Sequence, residues 1–300
     1  MRFFLLLSYN GSAFNGWQRQ INGPSVQEHL EFAFSAYLRE KIEITGAGRT
    51  DTGVHAINYV AHLDSCNDSL TKEQQLLLYK INAILPSGIV VNDICQVSDS
   101  CHARFDAVSR TYKYFVHTKK EPFLNEYSCF FPYELDIDAM NLAAAMLLGE
   151  RDFTSMAKLH TDVKHHICTV TRAEWQPLSP LNISGPDRHN SPGVFEHNSP
   201  GVFEHNSPGV FEHHSPGVFE HNSPGVFEHP NTFCFTISAN RFLRNMVRAI
   251  VGSLLEIGRG RERPEWILEV LDKKDRGAAG SSVSSHALFL SSIEYPYKIF

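Results

Sequence analysis

A tandem repeat in the second half of the chain separates residues that can form regular structure from residues that cannot. The octapeptide Asn-Ser-Pro-Gly-Val-Phe-Glu-His occurs five times between residues 190 and 229, with His214 replacing asparagine in the fourth copy. A Pro-Gly pair every eight residues excludes a helix and interrupts any long strand. The alternative is a folded β-repeat, for which one Val-Phe pair per copy is little apolar material. We therefore expect residues 190–229 to form a disordered loop inserted into a folded protein.

The composition of the chain is that of a globular protein with a real core. Of the 300 residues, 42% are hydrophobic and 20% are charged, which is close to the average for soluble domains. The formal net charge is −6, but the repeat contributes five glutamates and no lysine or arginine, so the charge without it is −1. This balance argues against a protein that coats nucleic acid non-specifically, and it leaves room for a local basic cleft.

The cysteines and the N-terminal residues favour a cytoplasmic protein. The six cysteines stand singly, without a Cys-x-x-Cys pair, which indicates a reducing compartment rather than a disulfide framework or a zinc site. The apolar run after Met1 and Arg2 is shorter than the core of a secretory signal, so we interpret it as a buried first strand. No segment approaches the length of a membrane span.

Hydrophobic periodicity outside the repeat predicts strands alternating with helices. The predicted strands are 2–9, 41–45, 57–63, 89–97, 111–116, 168–177, 232–238 and 288–295. The predicted helices are 25–38, 71–86, one from Asp136 or Asp138 to 148, 241–257 and 264–271. This order favours two α+β halves with a largely antiparallel sheet and a cleft between them. We expect an N-terminal domain over 1–107 and a C-terminal domain over 108–300, with the repeat hanging from a hairpin of the latter.

A glycine-rich stretch surrounds a single acid, Asp51. It reads Gly46-Ala47-Gly48-Arg49-Thr50-Asp51-Thr52-Gly53-Val54-His55. Glycine tolerates unusual backbone angles and lets other groups approach the main chain closely. We interpret the stretch as a tight loop that offers its acid to a ligand, with the glycines as clearance. The alternative is an ordinary connection between two strands in which the acid is incidental.

A second pattern lies on the helix predicted from residue 241. Arg241, Arg244 and Arg248 follow each other at helical spacing opposite an apolar stripe, and Gly252 lies one turn further on the same face. Three arginines alone are most often a solvated face. A glycine inside a helix costs about 1 kcal/mol against alanine and needs a packing or functional reason. We therefore expect this face, with Arg244 as a substrate contact, to meet the Asp51 loop, since arginine suits phosphate as well as carboxylate.

Tyrosines alternate with basic residues in Ser109-Arg110-Thr111-Tyr112-Lys113-Tyr114. The alternation puts Tyr112 and Tyr114 on one face of a strand. They could stack on an unpaired base whose phosphates are held by basic neighbours, or they could belong to the core. Both interpretations stay open from the residues alone.

Spacings typical of metal sites and phosphate loops are missing from the sequence. His160, His165 and His166 lack a matching carboxylate, and the glycine-rich stretch lacks the Gly-Lys-Ser/Thr of a P-loop. The residues by themselves therefore give no convincing metal site.

Several blocks together resemble one family. Residues 46–56 are similar to the signature loop of the TruA-type tRNA pseudouridine synthases, and five further blocks resemble the same family in order: 9–20, 25–28, 102–105, 109–114 and 246–252. The resemblance implies isomerisation of uridine to pseudouridine at positions 38, 39 and 40 of the tRNA anticodon stem-loop. It also implies a homodimer without metal or cofactor, and two RNA-recognition-like (ferredoxin-like) halves around a central basic cleft.

The resemblance also implies roles for individual residues. Asp51 corresponds to the catalytic acid, and Arg248 corresponds to the arginine that pairs with it. Tyr112 corresponds to the tyrosine that packs on the target uracil. Arg49 is expected to help displace the target base, and Leu288 to pack beneath it.

Two departures from the family pattern and two rival functions accompany this reading. Thr52 stands where the family usually has alanine, and residues 279–288 lack a proline and a glycine that the family shows, so the conformation of that segment is open. One rival function is a non-catalytic RNA-binding or RNA-folding protein on the same scaffold. The other is a metal-dependent hydrolase that uses the histidines, which the spacing does not support.

Overall fold

The computed structural model describes residues 1–158, 165–178 and 231–300. The described residues up to Pro177 and from Asn231 onward belong to one compact unit. The octapeptide repeat lies outside the described residues, as does His160, so the predictions about them stay predictions. No helix in the described part of the chain is long and apolar enough to cross a membrane.

The strands join into one continuous sheet. They are β1 Arg2–Tyr9, β2 Ile44–Gly46, β3 His55–Asp64, β4 Ile89–Val97, β5 Ser109–His117, β6 Cys129–Phe130, β7 Gly149–Asp152, β8 Ile167–Pro177, β9 Thr232–Ala239 and β10 Leu288–Glu294. Their order across the sheet is β4-β1-β3-β10-β5-β9-β8-β7, with β2 alongside β3 and β6 alongside β5. Among the described strands, only β3–β10 and β5–β6 pair in parallel. The expected α+β class with a mainly antiparallel sheet is confirmed.

The two halves of the sheet repeat one topology. In the first half the order is β4-β1-β3-β2, and in the second it is β10-β5-β9-β8. Each order is that of a ferredoxin-like unit, in which the first and third strands lie side by side in the centre. The antiparallel pairing of β8 with β9 confirms that residues 178–231 connect the two strands of a hairpin. The domain boundary between 107 and 108 stays a prediction.

The helices follow the predicted order with two differences at their starts. They are α1 Val26–Leu38, α2 Ser69–Lys72, α3 Gln74–Ile84, α4 Ile137–Ala145, α5 Met246–Gly258 and α6 Trp266–Lys273. Ser25 caps α1, and Asp136 caps α4 by accepting from the backbone N–H of Ala139 at 2.9 Å. The helix predicted over 71–86 does not start at Thr71, because Thr71 lies inside the short α2 and a new helix starts at Gln74.

The start of α5 differs from the sequence prediction for a tertiary reason. Asn245 has a left-handed backbone with φ +70°, so the residues before it cannot continue the helix. The backbone N–H of Lys158 donates to the carbonyl of Arg244, and the side chain of Asn245 donates to Ser282 Oγ at 2.7 Å. Arg241 and Arg244 therefore precede α5, and the expected single helical face with three arginines is wrong.

Each half packs its helices against the sheet through its own apolar cluster. In the first half, Phe3, Leu5 and Leu7 are fully buried on β1, which confirms the interpretation of the N-terminal run as a buried strand. Tyr112 packs against both clusters. This tyrosine therefore marks the seam between the halves.

Candidate active site

The glycine-rich loop lies where the two halves meet. β2 ends at Gly46 and β3 begins at His55, so residues 47–54 form the connection. One edge of β3 is shared: β2 pairs with it at residues 61–63, and β10 pairs with it at His55 and Ala56. Asp51 in this loop keeps 27% of its side chain exposed. Its carboxylate is thus accessible beside the seam.

Buried phenol groups hold the Asp51 loop in place. The hydroxyl of Tyr9 lies 2.9 Å from Thr50 Oγ1, and the hydroxyl of Tyr59 donates to the carbonyl of Gly48. Burial raises the pKa of Tyr9 and of Tyr59, so both hydroxyls keep their protons at neutral pH. The backbone N–H of Ala47 also donates to the carbonyl of Val60 at 2.9 Å. The carboxylate is therefore carried by a preorganised backbone.

The three glycines of the glycine-rich stretch, Gly46, Gly48 and Gly53, have different surroundings. A Cβ on Gly46 would lie 2.2 Å from the hydroxyl oxygen of Tyr59, and Gly53 adopts a φ of +79°. At Gly48 a Cβ would meet no atom within 4 Å. The expectation that all the glycines provide clearance for a ligand is wrong for Gly46 and Gly53, because packing and backbone conformation account for them. Open space remains beside Gly48.

The loop over residues 9–20 packs directly against the Asp51 loop. A Cβ on Gly11 would lie 2.1 Å from the carbonyl oxygen of Val54, and one on Gly16 would lie 2.4 Å from that of Thr50. Two main chains in such contact leave no room for side chains. The two family-like loops therefore form one wall of the site.

The arginines surround Asp51 differently from the expected arrangement. Nε of Arg244 lies 3.4 Å from Oδ1 of Asp51. Nε of Arg248 instead donates to the carbonyl of Val283 at 2.6 Å, and Arg241 lies 3.3 Å from the ring of His165. The expected Arg248–Asp51 pair is therefore corrected to an Arg244–Asp51 pair. The turn before α5 brings Arg244 to the loop, whereas Arg248, on α5, is engaged by the C-terminal segment.

The segment over residues 279–288 is held against α5 despite its altered sequence. A Cβ on Gly252 would lie 1.8 Å from the carbonyl oxygen of Ser281, so the glycine permits close backbone contact. The guanidinium of Arg276 donates to Ser282 Oγ at 2.6 Å, and the hydroxyl of Tyr114 donates to the carbonyl of Ser284 at 3.0 Å. These bonds define its conformation. The packing reason expected for Gly252 is present.

His55 joins three parts of the site, and sequence reasoning did not single it out. Its Nδ1 accepts from the backbone N–H of Gly11 at 3.1 Å, and its Nε2 lies 2.8 Å from the carbonyl of His286. These partners fix the neutral tautomer with the proton on Nε2. Burial lowers the pKa of His55, which also favours the neutral ring. Its position directly after the loop was the available signal.

Tyr112 and Tyr114 of β5 differ in burial, so the two interpretations left open above, base stacking and core packing, apply to different residues. Tyr114 is fully buried and belongs to the core. Tyr112 is half-buried and meets the ring of Phe242 edge to face, with centroids 5.0 Å apart. Burial raises the pKa of Tyr112, and the negative charge of Asp51 raises it further. Tyr112 therefore keeps part of its ring exposed at the seam, close enough to Asp51 for the carboxylate to raise its pKa.

Of the two remaining expected substrate contacts, Leu288 is buried and Arg49 is exposed. Leu288 is 5% exposed and faces Tyr114 across β10 and β5. Arg49 is exposed, and in the described part of the chain it has no carboxylate within 4.0 Å.

Among the described residues no cluster of histidine, cysteine, aspartate or glutamate could hold a metal ion. The site thus combines a carboxylate, a guanidinium and an aromatic ring.

Known proteins are similar to this chain over nearly its whole length. The family model described as tRNA pseudouridine synthase matches residues 6–106 and 143–296. The tRNA pseudouridine synthase A of Bacteroides thetaiotaomicron is 42% identical over 100% of this chain and 92% of its own length. That of Bacteroides fragilis is 40% identical over 100% and 98%, and that of Vibrio cholerae is 34% identical over 99% and 92%.

A solved structure titled Crystal Structure of a Cbf5-Nop10-Gar1 Complex covers 84% of this chain and 45% of its own, with 11% identity and a TM-score of 0.29. A score that low does not establish a shared fold. The family model and the full-length relatives do establish the family. This chain belongs to the tRNA pseudouridine synthases.

Proposed function

We propose that this protein isomerises uridine to pseudouridine in tRNA, at positions 38, 39 and 40 of the anticodon stem-loop. Membership of the family supports the reaction and the tRNA substrate. The three positions rest on the resemblance of the sequence blocks to the TruA type.

The observation that carries the proposal is the accessible Asp51 carboxylate at the seam, beside Tyr112 and Arg244. The reaction breaks the bond between N1 and C1′ and joins C5 to C1′ after the uracil has rotated. C5 loses its proton and N1 gains one, so the product is an isomer of the substrate. An ionised carboxylate can serve this exchange as nucleophile or as base. The target nucleotide must leave the helical stack to reach it.

Each neighbouring residue has a proposed task. The ring of Tyr112 packs on the extruded uracil, and Leu288 supports the strand beneath it. Arg244, 3.4 Å from Asp51, stabilises the negative charge of the carboxylate. Arg49, exposed on the same loop, takes the space of the displaced base. Arg248 acts through the carbonyl of Val283 and positions the 279–288 segment.

The test compares the wild-type protein with Asp51→Asn on unmodified tRNA. Catalysis by Asp51 predicts that the variant forms no pseudouridine while it binds tRNA with nearly unchanged affinity. Equal product from both proteins would remove Asp51 from the mechanism. Binding without product from the wild type would favour the non-catalytic alternative.

Three finer parts of the proposal rest on the resemblance and need their own measurements. We expect a homodimer, which sedimentation equilibrium would show as twice the mass of the chain. We expect activity to survive a chelator, because no step requires a metal. We expect the protein in the cytoplasmic fraction of cells.

A further inference from the structure

A groove beside the Asp51 loop shares Arg49 with the proposed reaction, but Asp51, Tyr112 and Arg244 do not line it. It has a volume of about 130 Å³ and lies between the Asp51 loop and the turn over residues 102–107. Gly48 and Arg49 line it from the loop, Arg104 lines it from the turn, and Trp17 and Gln27 contribute to its lining. The open space beside Gly48 makes this wall accessible from solvent.

The charges of the groove have one sign. Arg49 and Arg104 are both exposed, and none of the lining residues is acidic. Over the described ranges, no carboxylate lies within 4.0 Å of either guanidinium. Glu31 accepts from the lining residue Gln27, but this acid is already paired with Arg19 at 3.4 Å. Two uncompensated arginines at one groove, in a chain of net charge −6, form a local site for an anion.

A half-buried arginine, Arg110, fixes the two walls of the groove to each other. The guanidinium of Arg110 donates to the carbonyls of Ala47 at 3.0 Å and Arg104 at 2.8 Å. It also donates to the carbonyls of Ala107 at 2.7 Å and Asn240 at 2.8 Å. Burial lowers the pKa of Arg110, but four carbonyl partners compensate its charge and its donors. The separation of the walls is therefore set before any ligand binds.

An aromatic ring stands next to Arg104. Phe105 is 75% exposed, and its ring stacks on that of His102 with centroids 4.2 Å apart. An exposed phenylalanine held in place by a second ring is a surface on which an unpaired base can stack. The guanidinium carbon of Arg104 lies 5.8 Å from the centroid of the Phe105 ring, so the cation and the exposed ring are adjacent.

We propose that this groove binds a nucleotide of the tRNA strand next to the target uridine, with its backbone phosphate at Arg104 and its base on Phe105, while Arg49 adds positive charge from the side of the target. The inference rests on the proposed function, because it takes tRNA as the substrate. It assigns recognition of the substrate strand to Arg104 and Phe105, which take no part in the proposed reaction. Binding there would hold the strand while the target nucleotide turns toward Asp51.

The test measures tRNA affinity across a range of salt concentrations in an Asp51→Asn background, so that no product forms. Arg104→Gln removes one phosphate contact, so the slope of log affinity against log salt should fall by about 1. Phe105→Leu removes the stacking surface, so affinity should fall about fivefold or more with an unchanged salt slope. Arg263→Gln is the matched control, because it removes the same charge from an arginine already paired with Glu269.

The outcomes separate this inference from the proposed function. Unchanged affinity and slope in Arg104→Gln would overturn the phosphate site, and an equal effect of Arg263→Gln would reduce it to net charge. Unchanged affinity in Phe105→Leu would overturn the stacking surface. The proposed function stands as long as the wild-type protein forms pseudouridine, even if one of these variants shows no effect on tRNA binding. If the wild-type protein forms no pseudouridine, the proposed function itself is contradicted.

Discussion

The two walls of the site are built in different ways. On the N-terminal wall, the Asp51 loop is tied by buried hydroxyls and by main-chain contact with the loop over residues 9–20. On the C-terminal wall, Arg244 reaches Asp51 from a turn, and 58% of its side chain is exposed. A carboxylate on a tightly held loop thus faces a more exposed cation. This difference suits a site in which one group must hold its position while a nucleotide enters past the other.

The largest effect should come from breaking the rigid wall at Gly16. Gly16→Ala places a Cβ 2.4 Å from the carbonyl oxygen of Thr50 at a φ of +90°. Backbone strain and overlap should together lower the free energy of unfolding by about 3 kcal/mol or more. Gly48→Ala is the control, because its Cβ would meet no atom within 4 Å. Urea unfolding of both variants measures the difference, and equal losses would contradict the close contact of the two loops.

The next effect separates the two arginines of the C-terminal wall. Arg244→Gln should remove about 1.5–3 kcal/mol of transition-state stabilisation, a tenfold to hundredfold loss in rate. It should change stability by less than about 1 kcal/mol, because the ion pair is exposed. Arg248→Gln should instead lower stability by about 1–3 kcal/mol, because the carbonyl of Val283 loses its donor.

Single-turnover rates and urea unfolding of the two variants give the comparison. The assignment of Arg244 as the partner of Asp51 predicts opposite patterns for the two arginines. A rate loss confined to Arg248→Gln would restore the pairing that the resemblance implied.

A smaller effect is expected where the C-terminal wall meets α5. In Gly252→Ala, a Cβ would overlap the carbonyl oxygen of Ser281 at 1.8 Å. Alanine gains about 1 kcal/mol of helix propensity, so the net loss of stability should be about 1–2 kcal/mol. The 279–288 segment must move to relieve the overlap, so activity should fall as well. Thermal unfolding and a rate measurement check both, and a more stable variant with full activity would show that the contact is not needed.

The smallest effect concerns how the stability of the protein depends on pH through His62, on β3. His62 is buried and accepts from the backbone N–H of Ala103 through Nδ1 at 3.2 Å. Burial, together with the positive charge of Arg2, lowers the pKa of His62 to about 4, although Asp64 and Asp106 act in the opposite direction. The unfolded chain, with an ordinary pKa of about 6.5, binds a proton that the native protein does not bind.

The contribution of His62 to stability is therefore fully present above pH 6.5 and is lost as the pH falls toward 4. His62→Asn keeps an acceptor for Ala103 without this titration, so its stability should depend less on pH in that window. His165→Asn, at an exposed histidine, serves as the control. Urea unfolding at several pH values tests this, and parallel curves for wild type and His62→Asn would contradict it.

Local sequence patterns predicted the elements that depend on local forces. The alternation in β5, the start of a helix at Ser25 and the apolar run of β1 are each visible over a few residues, and the structure confirms them. The start of α5 was not predictable in this way. The apolar periodicity continues back to Leu243, but the helix begins only after Asn245. Residues distant in sequence bind the turn that precedes it.

The same division applies to the Asp51 loop. The sequence by itself determined that a glycine-rich loop carries one acid near a tyrosine strand and an arginine cluster, since residue type and spacing decide these. Only the tertiary structure decided which arginine meets Asp51, which glycine faces open space, and that Arg110 joins the loop to the 102–107 turn. These contacts link residues far apart in the chain, and their energies depend on distances that no local pattern contains.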